Sequence, residues 1–285
     1  GNKPVSPNKQ LVYLVALFLG IALPFGFYTL KNAIASKIDS QEMIEHITAN
    51  PVVGKIMHNH HRTNNIIGEH PRSTIAESFR ALRTNLQYQF KDMDKKVILV
   101  TSSIEGEGKS FTALNIAMSY AQLDHKTLLI DFDLRKPTNY FGKFDETQKG
   151  LTTWYLNGTT EEELIEKTAH ENLNLIHSGP VPPNPTELLA LKKTGRLINS
   201  LKSQYDCIVI DTSPLAQVSD GYLLLDYADI KIIVARYNYS LKKVFSLVMR
   251  DLKHKKAQNV CVVLNDNKVY SDQYGYGYGY NKKKK

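Results

Sequence analysis

The chain has 285 residues, 42% of them apolar, which is enough for one long or two short domains with a buried core and excludes a disordered polymer. Lysine and arginine, 36, exceed aspartate and glutamate, 28, for a formal charge of +8. Half of that surplus is the terminal run Lys282, Lys283, Lys284 and Lys285, so the body reads as lacking a concentrated basic stripe and no nucleic-acid partner is expected. The two cysteines, Cys207 and Cys261, lie inside apolar runs, which excludes a disulfide scaffold and a CxxC zinc site and fits a reducing compartment.

In chain order, the first predicted element is a membrane-spanning helix. No charge occurs from Gln10 to Leu30, and 16 of the 20 residues from Leu11 to Leu30 are apolar, interrupted by Pro24 and Gly26. At about 1.5 Å per residue this covers a hydrocarbon core of roughly 30 Å. A cleaved signal peptide is the rival reading, because Lys3 and Lys9 precede the run and Ala33-Ile34-Ala35 imitates a cleavage site; the length of the run argues against it. Lysines flank both ends, with Lys31 and Lys37 behind, so charge alone does not orient the span.

Residues 1–31 are thus read as a stub plus transmembrane helix, and 32–70 as a juxtamembrane connector. The connector holds a short helix near Ser40 to Ala49 and a strand at Val52 to Met57. The set His58, His60, His61 has no carboxylate or cysteine at ligand spacing and reads as a solvated loop. A helix from Thr74 to about Phe90 is predicted to open with the capping box Thr74-Ile75-Ala76-Glu77. Its apolar face is Ile75, Phe79, Leu82 and Leu86, and Glu77, Arg80 and Arg83 share a neighbouring arc.

Apolar β-branched runs then alternate with helical stretches: Val97 to Thr101, Thr127 to Asp131, Leu173 to His177, Cys207 to Asp211, Ile230 to Ala235 and Val260 to Leu264. Strands without polar alternation are covered on both faces, which predicts a doubly wound α/β domain, 71–268, around a mostly parallel sheet. Residues 269–285, with Tyr270, Tyr274, Tyr276, Tyr278 and Tyr280 spaced by glycines, read as a mobile tail.

The chemistry is concentrated in three places. After the run ending at Thr101, Ser102-Ser103-Ile104-Glu105-Gly106-Glu107-Gly108-Lys109-Ser110 leads into a helix spanning Phe111 to Ala121. Gly106 and Gly108 let backbone amides turn onto phosphate oxygens, Lys109 can neutralise phosphate charge and Ser110 can ligate Mg²⁺. The usual pattern wants glycine where Ser103 stands. At two strand ends lie acids: Asp131 and Asp133 in Ile130-Asp131-Phe132-Asp133-Leu134-Arg135, and Asp211 in Ile210-Asp211-Thr212-Ser213-Pro214. Strand carboxyl ends are where an open parallel sheet places its ligand crevice.

This triple set, a Walker A loop, an A′ motif of D-x-D-x-R and a Walker B motif of D-x-x-P, resembles that of the bacterial tyrosine kinases, the cytoplasmic part of capsular and exopolysaccharide co-polymerases. Glu77-x-x-Arg80-x-x-Arg83, the proline-rich stretch from Gly179 to Pro185, Pro4-Val5-Ser6-Pro7 and the tyrosine tail extend the likeness over nearly the whole chain. The partition and septum-positioning ATPases share the deviant P-loop fold, but their signature lysine position is here Ile104. They remain the alternative, as a nucleotide switch without tyrosine transfer.

The resemblance implies a P-loop NTPase fold and an autokinase using ATP and Mg²⁺. ATP would be held by Ser103, Glu105, Gly106, Glu107, Gly108, Lys109, Ser110, Phe111 and Arg135, with Asn265 at the base, and the metal by Ser110, Asp133 and Asp211. Lys109, Asp131, Asp133 and Asp211 would be catalytic; a tyrosine hydroxyl with a reference pKa of about 10 needs a base, Asp131 or Asp133, and the role is assigned to Asp131 with Asp133 and Asp211 on the metal. It implies phosphorylation of Tyr270, Tyr274, Tyr276, Tyr278 and Tyr280 in trans within a homo-oligomeric ring lined by Glu77, Arg80 and Arg83. The catalytic part would face the cytoplasm below the bacterial plasma membrane, with a cognate tyrosine phosphatase and polysaccharide synthesis and export proteins as partners.

Overall fold

A computed structural model describes residues 9–34, 36–91, 96–141 and 149–268. The tyrosines of the tail and Pro4 to Pro7 lie outside the described residues. The first helix, α1 (Lys9–Ile34), carries Pro24 inside it and is long and apolar enough by length and composition to cross a membrane. Then follow α2 (Gln41–Ile47), β1 (Val52–Met57), α3 (Ile66–Glu69), α4 (Thr74–Gln89), β2 (Lys96–Ser102), α5 (Lys109–Ala121) and β3 (Thr127–Asp131). The second half runs α6 (Leu151–Asn157), α7 (Glu161–Leu164), β4 (Glu166–Lys167), β5 (Leu173–Ile176), α8 (Pro185–Leu189), α9 (Lys192–Gln204), β6 (Cys207–Asp211), α10 (Asp220–Leu224), a short 3₁₀ turn, β7 (Ile230–Arg236), α11 (Lys242–His254) and β8 (Val260–Asn267).

The eight strands form one sheet in the order β1-β8-β7-β2-β6-β3-β5-β4, parallel throughout except the two-residue β4 at the edge. The expected α/β P-loop architecture is what forms. Side chains of β2 alternate between two cores: Val97 and Leu99 face the layer that includes α9 and α11, while Ile98 and Val100 face the layer of α3, α4 and α5. Burial on both sides is why these runs carry no polar alternation.

Two local readings are corrected. The N-cap of α4 is Ser73, whose hydroxyl accepts from the Ala76 N–H at 3.2 Å; Thr74 is the first helical residue, and Glu77 pairs with Arg80 instead of reaching back to a cap. The segment 32–70 is not a separate connector. β1 pairs in parallel with β8 as the edge strand, and Ile38, Ile44, Ile56, Ile66 and Ile67 are fully buried in the two cores. Its apolar residues are too widely spaced to announce a core in the sequence, but Ile38 and Ile44 join the α9–α11 side and Ile56, Ile66 and Ile67 the α4–α5 side.

Candidate active site

The phosphate-type loop follows β2. Gly106 and Gly108 adopt φ of 84° and 93°, the left-handed region that disfavours side chains. Space is short as well, since a Cβ on Gly108 would stand 2.1 Å from Asn265 Nδ2 and one on Gly106 2.6 Å from the Tyr239 hydroxyl. Ser103, in the place of the usual first glycine, has a structural reason. Its N–H and its hydroxyl both donate to the Glu107 carboxylate at 2.6 Å, the Ile104 N–H donates to it at 3.0 Å, and the Ser240 hydroxyl closes the set. Glu107 and Ser103, expected on the nucleotide, therefore face into the loop and brace it. Burial pushes the Glu107 carboxyl above the usual carboxylate range, opposed by the Ser103, Ser240 and Ile104 donors.

Three carbonyls of the loop are held from the ends of β7 and β8. The Tyr239 hydroxyl donates to Glu105 O at 3.1 Å, Arg236 Nη1 to Gly106 O at 2.9 Å and Asn265 Nδ2 to Glu107 O at 3.0 Å. Asn265, expected at the nucleotide base, is thus also a loop support. Asp266 beside it binds Arg236 at 2.8 Å and lies against the His58 ring. A cavity of 270 Å³ beside Gly106, Gly108, Phe111 and Asn265 is open to solvent.

The acids meet the loop because of register and pleat. Asp131 and Asp211 are directly paired positions of β3 and β6, about 4.8 Å apart as adjacent strands are. Leu128 and Ile130, and Ile208 and Ile210, pack in the α9 layer, so the alternation sends Asp131 and Asp211 to the α5 side, where Lys109 and Ser110 begin the helix. Lys109 Nζ lies 3.0 Å from Asp133 Oδ2, 4.0 Å from Asp211 Oδ1 and 3.3 Å from Ser110 Oγ.

Asp131 accepts from the Asp133 N–H at 3.1 Å, the Thr138 N–H at 2.8 Å and the Ser178 hydroxyl at 3.1 Å; Asp211 accepts from the Tyr140 hydroxyl at 2.6 Å. Burial raises the Lys109 question of charge and the aspartates answer it. Burial alone would lower its pKa, but Asp211 and Asp133 more than offset that, and the ammonium is held above the ordinary lysine value. Asp131 is pushed well up, first by burial and then by the Asp211 charge. Asp211 is raised by burial in spite of Lys109. Tyr140 is raised by burial and both acids and stays a neutral donor.

The donor set suits Mg²⁺. Asp211 Oδ1 is buried without a hydrogen-bond partner, and the Ser110 hydroxyl and Asp133 carboxylate are its neighbours around Lys109, all hard oxygen ligands. Mg²⁺ keeps several waters, so it would take its remaining ligands from phosphate and water.

Other expected residues stand apart. Arg135 is committed to Asp220, at 2.6 Å, and to Thr186, tying α8 to α10. Glu105 is exposed and binds Lys136. Phe111 meets the Phe79 ring edge-on at 5.5 Å. On α4, Glu77 binds Arg80 at 2.8 Å, whereas Arg83 Nη1 donates to Ser119 O of α5 at 2.6 Å. Thr138, Tyr140, Ser178 and Ser240, which touch the acids and the brace, carry no motif in the sequence; Thr138 arrives by the turn after β3, and the other three are brought to their partners by the tertiary arrangement.

A parallel sheet with a glycine-lysine-serine loop at its carboxyl edge, facing three acids, defines a P-loop nucleotide-binding protein. A family model described as an AAA domain matches residues 95–261. Tyrosine-protein kinase YwqD of Bacillus subtilis strain 168 is 35% identical over 206 residues, 72% of this chain and 87% of that protein. Two solved structures are similar at a TM-score of 0.74: the chimerical protein CapA2B2, 31% identical over 81% of this chain, and the kinase domain of the Escherichia coli tyrosine kinase ETK, 26% identical over 85%, each covered in full. The chain belongs to the bacterial tyrosine kinases and is a protein-tyrosine kinase. It spans 38% of the length of the full tyrosine-protein kinase etk of Escherichia coli K12.

Proposed function

We propose that the chain is an ATP-dependent autokinase that transfers the γ-phosphoryl group to its own tyrosines Tyr270, Tyr274, Tyr276, Tyr278 and Tyr280, in trans within a ring. The observation that carries this reading is the meeting of Lys109 with Asp133 and Asp211 beside the buried Asp131. Lys109 and the loop amides would bind the phosphates, and Ser110, Asp133 and Asp211 would hold Mg²⁺, which neutralises phosphate charge when bound. A phenol with a reference pKa of about 10 is a weak nucleophile until a base takes its proton. In the transfer the phenolic oxygen bonds to phosphorus, the bond from phosphorus to the bridging oxygen of ADP breaks, and Asp131 receives the proton.

Reach permits transfer in cis and in trans alike, and the resemblance to the bacterial tyrosine kinases is what favours trans. β8 runs parallel to β7 and ends beside the loop, Asn265 bonding Glu107. From there to Tyr280 the chain extends at most roughly 50 Å, far enough for a neighbour's crevice. The kinase body would hang in the cytoplasm from α1 in a bacterial plasma membrane, with Glu77 and Arg80 at subunit contacts, a phosphatase to reset the tail, and polysaccharide synthesis and export as the regulated process.

Purified chain incubated with Mg-ATP should acquire phosphotyrosine mapped to the tail, and Lys109→Met should abolish it. ATP hydrolysis with no phosphotyrosine in the tail would overturn the proposed acceptor.

A further inference from the structure

The sequence reading of a body without a concentrated basic stripe is corrected at α11, where Lys242, Lys243, Arg250, Lys253, Lys255 and Lys256 fall within fifteen residues. On α11 the helical period of 100° per residue puts Lys242, Lys253, Arg250 and Lys243 within an arc of about 100°, with Asp251 on the opposite flank and Phe245, Val248, Met249 and Leu252 buried behind. All four cations are exposed. Among the described residues none lies within 4.0 Å of a carboxylate. The same face continues into a cavity of 600 Å³ between the end of α2 and α11, whose charged lining residues are Arg250, Lys253 and Lys256 and which has no acid in its wall.

The position of this face relative to α1 is set by backbone bonds. Ser36 O accepts from the Lys242 N–H at 2.9 Å, Ser240 O accepts from the Ile38 N–H at 2.9 Å, and Lys37 bridges Leu241 in antiparallel fashion. Ser36 is two residues beyond the end of α1 at Ile34, and two residues of chain reach at most about 7 Å. The first turn of α11 is therefore tied to the point where the apolar helix ends, whatever angle α1 takes.

Taking α1 as the membrane anchor proposed above, we infer that the cationic face of α11, with the Arg250–Lys253–Lys256 hollow, docks on the anionic phospholipid headgroups of the same membrane and fixes the height and tilt of the kinase body. Lys242 and Lys243 would then lie within a Debye length, about 8 Å, of the headgroups. Each cation there is worth roughly fivefold in the ratio of docked to undocked body, lost when that distance shrinks at high salt.

The test uses the full chain in lipid nanodiscs with a nitroxide on Leu247→Cys, next to the cationic face; Cys207 and Cys261 are buried, so labelling goes to the new thiol. In discs containing one-third phosphatidylglycerol, collision of the label with a water-soluble nickel chelate should fall several-fold against pure phosphatidylcholine discs. Lys242→Glu, Lys243→Glu, Arg250→Glu and Lys253→Glu together, or molar salt, should restore it. The corresponding glutamine set, which keeps the side-chain length, should restore it in part. Equal collision rates in both discs, a fall in phosphatidylcholine as large as in phosphatidylglycerol, which would mark protein contact, or a fall that survives charge reversal would overturn the docking while α1 stays inserted. Chain that fails to co-elute with either disc would overturn the anchor and the docking together.

Discussion

At the residue scale, Glu107 and Asp131 show two uses of a buried carboxyl. Glu107 takes four donors and ties the loop to Ser240. Its folded pKa lies above the unfolded value, so it binds its proton more tightly when folded, and its contribution is lost as pH rises through the folded value. Glutamine can offer an oxygen to the two N–H groups and its amide to the two hydroxyls without ionising. Glu107→Gln should therefore gain stability relative to the native chain as pH rises from about 4 toward the raised folded pKa, measured by urea midpoints across pH; a constant difference would mean that Glu107 does not titrate in this window. Glu107→Ala strands those donors and should cost about 2–4 kcal/mol. For Asp131→Asn, ATP affinity measured by calorimetry should persist while phosphotyrosine formation falls by about 10²–10⁴. If Asp131→Asn retains transfer and Asp133→Asn loses it, the base is Asp133.

Elements follow from local chemistry where a cap or a pleat decides. Ser73→Ala should destabilise by about 1 kcal/mol, as losing an N-cap does, and Thr74→Ala should be near neutral; thermal melts of the two variants test the assignment directly, and the reverse order would return the cap to Thr74. The alternation of β3 and β6 explains why acids at Asp131 and Asp211 face α5. That much was legible, because both follow unbroken apolar runs. The bonds from α4 were not. Glu77, Arg80 and Arg83 share a face by helical period, but Arg83 turns to the Ser119 carbonyl of α5, a partner that the period cannot name. Its truncation should therefore cost the monomer about 1 kcal/mol on its own, apart from any effect on a ring.

For the whole molecule, the proposed phosphorylation would link the tail to assembly through charge. Each phosphate adds about −1.5 to −2, so several on the tail would outweigh the four terminal lysines and be repelled by the acid-lined crevice. Phosphorylated protein should run as a smaller species in light scattering than the Lys109→Met protein, and equal masses would remove the tail from the assembly mechanism. The anchor and the basic face of α11 would keep such subunits at the membrane between cycles.

The amino-acid order by itself determined the P-loop class, the three acidic positions, six of the seven parallel strands of the sheet and the apolar helix, because each rests on contiguous spacing: a glycine-lysine-serine turn, an acid closing an apolar run, an uncharged stretch of membrane length. Only the tertiary structure decided that the presumed connector is the sheet's edge, that Ser103 and Glu107 brace the loop from within, that Arg135 serves Asp220, and that Thr138, Tyr140 and Ser178 complete the acid cluster. The Ser103–Glu107 brace and the Thr138 bond to Asp131 are loop conformations only four and seven residues across, which no period announces, and the remaining facts depend on which strands lie side by side. Neighbours made by a crossover are separated by tens of residues in sequence, and no local period carries their identity.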